Sequence, residues 1–260
     1  MYRHIILLSL LSVVALRAQN QSEVQLKTAE GHLMKYYLSL PKGWTADRSW
    51  PVVVIAEAAE KEYKVNMERF VLARGAMPFI LVAPITTTNG HQGYRDPEVY
   101  PYTSSEWDAI DKMGICSFDM DGVEHMVKDV RNKYNGSDKF FITGFEAGAH
   151  LVWAMVFKHP EELYAACPVA GNYRSRCMED KQFSEHPARV QLPIKGFYGS
   201  LDTFGAPGGK IYYQWEDAKR EALEHGYKNI TEEPIPGKGH VPVPDEILKY
   251  FSEIWKLEKH

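Results

Sequence analysis

The stretch from residue 139 to residue 153 constrains the fold more than any other part of this sequence. It begins with apolar and β-branched residues that predict a short buried strand, and it ends with an apolar run that predicts a helix. Between them lies a Gly-x-Glu-x-Gly pattern centred on Glu146. Glycines two residues before and after a central residue let a strand and a helix approach closely. The sequence therefore predicts a sharp turn that exposes the Glu146 side chain.

Further strands and helices alternate on both sides of this turn. The predicted strands lie at 25–27, 32–40, 52–56, 79–83, 140–143, within 163–170, 193–198 and 230–235, and the predicted helices at 65–74, 119–134, 147–158, 210–225 and 245–257. Strands that are apolar at every position indicate a sheet covered by helices on both faces. The first two strands indicate an antiparallel hairpin at its N-terminal edge. The expected fold class is α/β, with a doubly wound, mostly parallel sheet.

Composition sets limits on the number of domains and on the partners. A chain of 260 residues, 45% of them hydrophobic, can bury one substantial core, so residues 20–260 are expected to form a single domain. The formal net charge is -4, with both signs interspersed. Such a chain has no basic face for nucleic acid.

The first nineteen residues have the pattern of a signal peptide. A short polar start precedes an apolar core at residues 5–16, and Ala18-Gln19 suits a processing point. The core is short for a membrane span, although an uncleaved anchor is the alternative. No cysteine precedes Cys116, which excludes lipid attachment at the processing point. We expect a secreted or periplasmic protein without stable membrane insertion after cleavage.

Three cysteines suit such a compartment. Cys167 and Cys177 lie ten residues apart around an expected loop, so these two are the candidate disulfide pair. Cys116 then remains as a buried, inert thiol. No metal-binding spacing is present among the cysteines.

Two polar residues follow the turn along the chain, first an aspartate and then a histidine. Asp202 ends the segment 193–202, and His240 lies in the segment 239–242. With the turn at Glu146 and the pair Gly208-Gly209, these segments resemble the α/β-hydrolase superfamily, nearest its secreted feruloyl esterases and polyhydroxybutyrate depolymerases. The resemblance spans residues 50–255 and implies an α/β-hydrolase fold with Glu146, Asp202 and His240 at the catalytic positions. From the residues alone, a loop-capping Asp202 and a loop-packing His240 stay open.

The sequence departs from that superfamily at two places. Glu146 stands where the nucleophilic serine is usual, and Glu57-Ala58 stands where a His-Gly pair supplies one amide of the oxyanion hole. The resemblance places the oxyanion-hole positions at Ala147, Ala58 and Glu57. A carboxylate that attacked an acyl carbon would form a mixed anhydride, and a charged Glu57 would oppose the developing negative charge. His150, on the following helix, is expected to be a packing residue.

Several functional interpretations follow from these departures. In the first, the protein is a pseudoenzyme that binds a small-molecule, ester or carbohydrate-linked ligand or is structural, and Glu146 pairs with His240. In the second, Glu146 acts as nucleophile or general base with His240 and Asp202, as the elbow aspartate does in dehalogenases and epoxide hydrolases of similar fold. An ordinary serine esterase and a metal site of Glu57, Glu146 and His240 are the less favoured alternatives. The sequence implies no cofactor.

The segment after the strand at 79–83 is rich in aromatic residues. No regular structure is predicted there for about thirty residues, which is long for a connection and favours a functional loop. Its ring-bearing side chains are His91, Tyr94, Tyr100, Tyr102 and Trp107. They are candidates either for stacking on a sugar or phenolic ligand or for local packing.

Overall fold

Eight strands form one mostly parallel sheet in the ranges 23–89 and 95–258, which are the residues that this computed structural model describes. They are β1 (Gln25–Thr28), β2 (Lys35–Ser39), β3 (Trp50–Ala56), β4 (Ile80–Pro84), β5 (Gly136–Phe145), β6 (Leu163–Val169), β7 (Ile194–Gly199) and β8 (Ile230–Ile235), in the spatial order β1-β2-β4-β3-β5-β6-β7-β8. β1 and β2 pair antiparallel, β2 also pairs antiparallel with β4, and the remaining pairs are parallel. The predicted edge hairpin and parallel sheet are confirmed.

Helices cover both faces of the sheet. They are α1 (Tyr63–Arg74), α2 (Ser104–Met113), α3 (Ile115–Tyr134), α4 (Ala149–Lys158), α5 (Tyr212–Glu224) and α6 (Pro244–Glu258). Along β3, Val52 and Val54 belong to the core cluster that includes α3, α4 and α5, whereas Val53 and Ile55 belong to the cluster that includes α1 and α6. This alternation follows from the pleat of a strand, which sends successive side chains to opposite faces. The doubly wound architecture is therefore as predicted.

Helix α2 lies inside the segment for which no regular structure is expected from the sequence. Thr103 and Glu106 form a capping box at its start. Tyr100, Tyr102 and Trp107 are only 2%, 6% and 8% exposed and pack edge to face on one another. Of the two alternatives for these three residues, the structure favours local packing over stacking on a ligand, because their rings are buried. Tyr94 and His91 lie outside the described residues.

The cysteine pairing also differs from the expectation. Cys116, in the first turn of α3, is bonded to Cys177, with an S–S distance of 2.06 Å, and Cys167 is a free buried thiol. Cys167 belongs to the core cluster on the α1 and α6 side of the sheet, whereas Cys177 belongs to the cluster on the α3 side. The Cys167–Cys177 prediction is therefore wrong, since the sheet separates the two sulfur atoms.

Two expectations concern membranes. The predicted signal segment, residues 1–19, lies outside the described residues. Within the described ranges, the helices are all too short or too polar to cross a bilayer.

Candidate active site

The turn at Glu146 is held by its two glycines. β5 passes directly into the 3-10 turn Glu146–Gly148, and α4 follows. A Cβ atom on Gly144 would lie 2.5 Å from the carbonyl carbon and oxygen of Gly148, and one on Gly148 would lie 2.4 Å from the carbonyl oxygen of Ala56. Real side chains do not tolerate such contacts with backbone, so the close approach of β5, α4 and β3 requires glycine at both positions.

Glu146 itself adopts a left-handed backbone conformation. Its φ angle is 47°, a region that costs a non-glycine residue about 1–2 kcal/mol. The backbone N–H of Asn172, which follows β6, donates a hydrogen bond of 3.1 Å to the Glu146 carbonyl oxygen. The Glu146 side chain at this turn is partly exposed.

The Glu146 carboxylate reaches the loop that follows β3. Its Oε2 atom lies 3.5 Å from the backbone nitrogen of Ala59, at the long end of the hydrogen-bond range. In the superfamily that the sequence resembles, this loop supplies an amide of the oxyanion hole. The expected positions there are Ala58 and Glu57, and the amide that bonds to Glu146 is one residue further on. Sequence reasoning missed Ala59 because the path of the loop backbone decides which amide faces the turn.

The carboxylate of Glu57 does not lie at the expected oxyanion hole. Its side chain is buried, and Oε1 accepts a hydrogen bond of 3.2 Å from the backbone N–H of Glu62, next to the first residue of α1. Burial raises the pKa of Glu57 to about 7. The expectation of a charged carboxylate opposing an oxyanion is corrected, since the group bonds to the start of α1 and its burial favours the protonated form.

Asp202 and His240 form the second unit of the site. The Nδ1 atom of His240 lies 2.9 Å from Oδ2 of Asp202. The other carboxylate oxygen of Asp202 accepts hydrogen bonds from the backbone N–H groups of Phe204 at 2.7 Å and Gly205 at 2.9 Å. The Asp202 side chain is 1% exposed. Both of its oxygens are therefore fixed, and one of them orients the imidazole ring.

The His240 ring lies next to the turn. Its centroid is 4.8 Å from that of Phe145, the residue before Glu146, and 5.3 Å from that of Phe204. One quarter of its side chain remains exposed. The ring is thus held between two aromatic side chains while it keeps contact with solvent.

A third glycine sets the path of the chain toward His240. A Cβ atom on Gly199, at the end of β7, would lie 2.3 Å from the carbonyl oxygens of Lys238 and Gly239. The loop that carries His240 therefore rests directly on the end of β7. This contact brings the histidine beside the loop that carries Asp202.

Glu146, Asp202 and His240 reach one end of the sheet, but they interact as two separate units. Among the described residues, no ion pair within 4.0 Å joins Glu146 to His240. The ion pair expected between these two residues is therefore absent, and His240 pairs with Asp202 instead. Glu57, Glu146 and His240 also form no metal-binding group in the described part of the chain. The metal alternative fails because the Glu57 side chain bonds toward α1.

His150, in the first turn of α4, is 3% exposed. Its burial lowers its pKa to about 3, and the positive charges of Arg176 and Arg174 act in the same direction. A neutral, buried ring fits the packing role expected from the sequence.

The strand order, the glycine-bounded turn after β5 and the acid–histidine pair after β7 and β8 define a protein with the α/β-hydrolase fold. No protein-family model matches the sequence, and no curated protein matches it. The similarity is found among solved structures, and it shows the fold.

Three of those structures illustrate the similarity. A thermostable esterase matches with a TM-score of 0.56 at 16% identity, covering 91% of this chain and 62% of that one, so this chain spans less than two thirds of the esterase. A poly(3-hydroxybutyrate) depolymerase from Bordetella parapertussis matches with a TM-score of 0.58 at 14% identity, over 85% of this chain and 83% of that one. Poly(aspartic acid) hydrolase-1 from Sphingomonas sp. KT-1 matches with a TM-score of 0.60 at 13% identity, over 90% and 98%.

Proposed function

We propose that this protein is a pseudoenzyme of the α/β-hydrolase fold, which binds a ligand at the turn without turning it over. The observation that carries the proposal is the distance of 3.5 Å between Glu146 Oε2 and the Ala59 amide. In a serine hydrolase such amides bind the oxygen that becomes negative in the transition state. Here a carboxylate of the protein lies within reach of an amide in the corresponding loop, and its charge would repel a second anion there.

The chemistry of the elbow residue supports the same conclusion. Glu146 has no hydroxyl group to acylate, and a carboxylate attacking an acyl carbon forms an anhydride rather than an ester. Loss of one oxyanion donor commonly raises the barrier by about 3 kcal/mol. The matched structures include a polyester depolymerase and an esterase, which supports an ester-containing ligand as the class that this site binds.

A second function is favoured by the intact Asp202–His240 pair, with its distance of 2.9 Å. In this alternative the Glu146 carboxylate attacks an alkyl carbon, the leaving group departs with its electron pair, and an ester links Glu146 to the substrate. His240 then takes a proton from water, and the resulting hydroxide attacks the ester carbonyl carbon and releases the alcohol product. Asp202 orients the ring and stabilises its positive charge.

Turnover by the purified protein separates these functions. Small acyl esters, epoxides and haloalkanes are to be tested with the unmodified chain, Glu146→Ser, His240→Ala and the double variant. We expect no turnover and no fluorophosphonate labelling of the unmodified chain. We expect Glu146→Ser to gain labelling that His240→Ala removes.

Exposed Glu60, in the same loop, provides the matched control, since Glu60→Ser should gain nothing. Turnover of an epoxide or haloalkane by the unmodified chain that is lost in His240→Ala would establish the alternative. Fluorophosphonate labelling of a serine in the unmodified chain would contradict both functions.

We also propose that the protein acts outside the cytoplasm. The pattern of residues 1–19 supports this, and so does the disulfide between Cys116 and Cys177, because such bonds persist mainly in oxidising compartments. N-terminal sequencing of the protein from fractionated cells of its native source tests the proposal, and a chain that begins at Met1 and is recovered from the cytoplasm would contradict it.

A further inference from the structure

Three metal-ligating side chains meet at the end of α4 that is remote from Glu146. Glu124 comes from α3, His159 follows the last residue of α4, and Glu162 comes from the 3-10 turn ahead of β6. Their candidate ligand atoms all lie within 4.8 Å of one another. Since α4 has ten residues and rises about 1.5 Å per residue, it separates this cluster from the turn by about 15 Å.

The spacing inside the cluster suits a shared ion better than a direct bond. His159 Nε2 lies 3.4 Å from Glu124 Oε1. A charge-assisted hydrogen bond between such groups is shorter, at about 2.7–2.9 Å. Ligands that sit at about 2.0–2.1 Å from a tetrahedral zinc ion are about 3.4 Å apart, which matches the separation of the His159–Glu124 pair.

The electrostatic surroundings also favour a cation. Two carboxylates converge on one imidazole, and the carbonyl groups at the C-terminal end of α4 add partial negative charge beside His159. Arg131 is the positive group that faces Glu162 from α3. Its side chain donates a hydrogen bond to the Asp138 carbonyl oxygen and pairs with the Asp138 carboxylate, so part of its charge is already balanced.

We propose that Glu124, His159 and Glu162 bind a divalent transition-metal ion, with zinc as the best match to one nitrogen and two oxygen ligands. The three side chains supply three positions of a tetrahedron, and water completes the fourth. All three are partly exposed, which gives the ion a path from solvent. The site is separate from Glu146 and does not depend on the function proposed for it.

Zinc binding by the metal-free protein tests this site. Isothermal titration calorimetry of the full chain with zinc chloride should show one ion per chain. His159→Ala and Glu162→Gln should each weaken the binding by at least about tenfold. Circular dichroism without metal should show that both variants keep the fold, because the changed side chains lie at the surface.

Glu185 and His186 provide a matched control. They also place a carboxylate and an imidazole side by side on the surface, but they belong to no three-ligand cluster in the described residues. The double variant Glu185→Gln/His186→Ala should bind zinc as the unmodified chain does, and so should Glu146→Gln. Absence of binding at millimolar zinc, or equal binding by His159→Ala and the unmodified chain, would overturn the proposal.

Discussion

His240 Nδ1 and Asp202 Oδ2 lie 2.9 Å apart, and backbone N–H groups hold the other oxygen of Asp202. Asp202 therefore holds the His240 ring in a fixed orientation, although the residue at the turn is a carboxylate. Asp202 is almost fully buried, and so is its hydrogen bond with the Gly205 amide, whereas the His240 ring keeps contact with solvent. The structural effect of this pair can be measured through the stability of the fold.

Asp202→Ala should lower the free energy of unfolding by about 3 kcal/mol. The change removes the acceptor of the buried Gly205 amide and of the partly buried Phe204 amide and His240 ring. Urea denaturation measures the loss. Asp217→Ala removes a half-exposed carboxylate on α5 and should change stability by less than about 0.5 kcal/mol. Equal effects of the two variants would contradict the prediction.

Gly148→Ala should destabilise the chain by about 1–3 kcal/mol or prevent folding. Its Cβ atom would lie 2.4 Å from the Ala56 carbonyl oxygen, and neither backbone can move without displacing β3 or α4. Gly239→Ala is the control, since no atom lies within 4 Å of its added Cβ. Thermal melts of both variants suffice, and a Gly148→Ala protein as stable as Gly239→Ala would rule out the close contact at the turn.

Loss of the disulfide should cost about 4 kcal/mol, because the bond closes a loop between residues 61 positions apart. Cys116→Ala and Cys177→Ala are expected to show the same loss in urea denaturation. Mass spectrometry after alkylation of the denatured, unreduced protein should find one free thiol, at Cys167. Alkylation at Cys116 or Cys177 instead would show a different pairing.

Glu57 should make the protein less stable as the pH rises. Burial raises its pKa from 4.5 to about 7, so between these values the folded chain holds a proton that the unfolded chain releases. The contribution of Glu57 to the free energy of unfolding is complete below pH 4.5. It falls by up to about 3 kcal/mol as the pH rises through 7.

The matched pair for this effect is Glu57→Gln and Glu60→Gln. Between pH 5 and pH 8, the stability of Glu57→Gln relative to the unmodified chain should rise, because the amide cannot ionise. Glu60 is exposed, and Glu60→Gln should keep the pH dependence of the unmodified chain. A constant difference between Glu57→Gln and the unmodified chain across this range would show that Glu57 does not titrate as expected.

The sequence predicts those features that depend on neighbouring residues. The strands, most helices and the turn at Glu146 follow from hydrophobic periodicity and from the spacing of two glycines. Helix α2 was missed, although Thr103 and Glu106 carry the capping signal that marks its start. The capping box favours a helix here, whereas the surrounding turn-forming and aromatic residues had favoured a loop.

Features that depend on contacts between residues far apart in the sequence could not be predicted in this way. The partner of Cys177 is decided by the face of the sheet on which each sulfur lies, and a spacing of ten residues does not contain that information. The bond from Ala59 to Glu146 and the orientation of Glu57 depend on the path of one loop. Glu124 and His159 are 35 positions apart, so their proximity appears only when α3 packs beside α4.

The glycines around Glu146 also bear on how such a scaffold changes over time. Gly144 and Gly148 create the space for the bend, and the left-handed backbone penalises unbranched residues such as serine, cysteine and glutamate to a similar degree. An alcohol, a thiol or an acid can therefore replace one another there without rebuilding the surrounding architecture. One substitution at this position can therefore exchange the reactive side chain during evolution while the rest of the fold is kept.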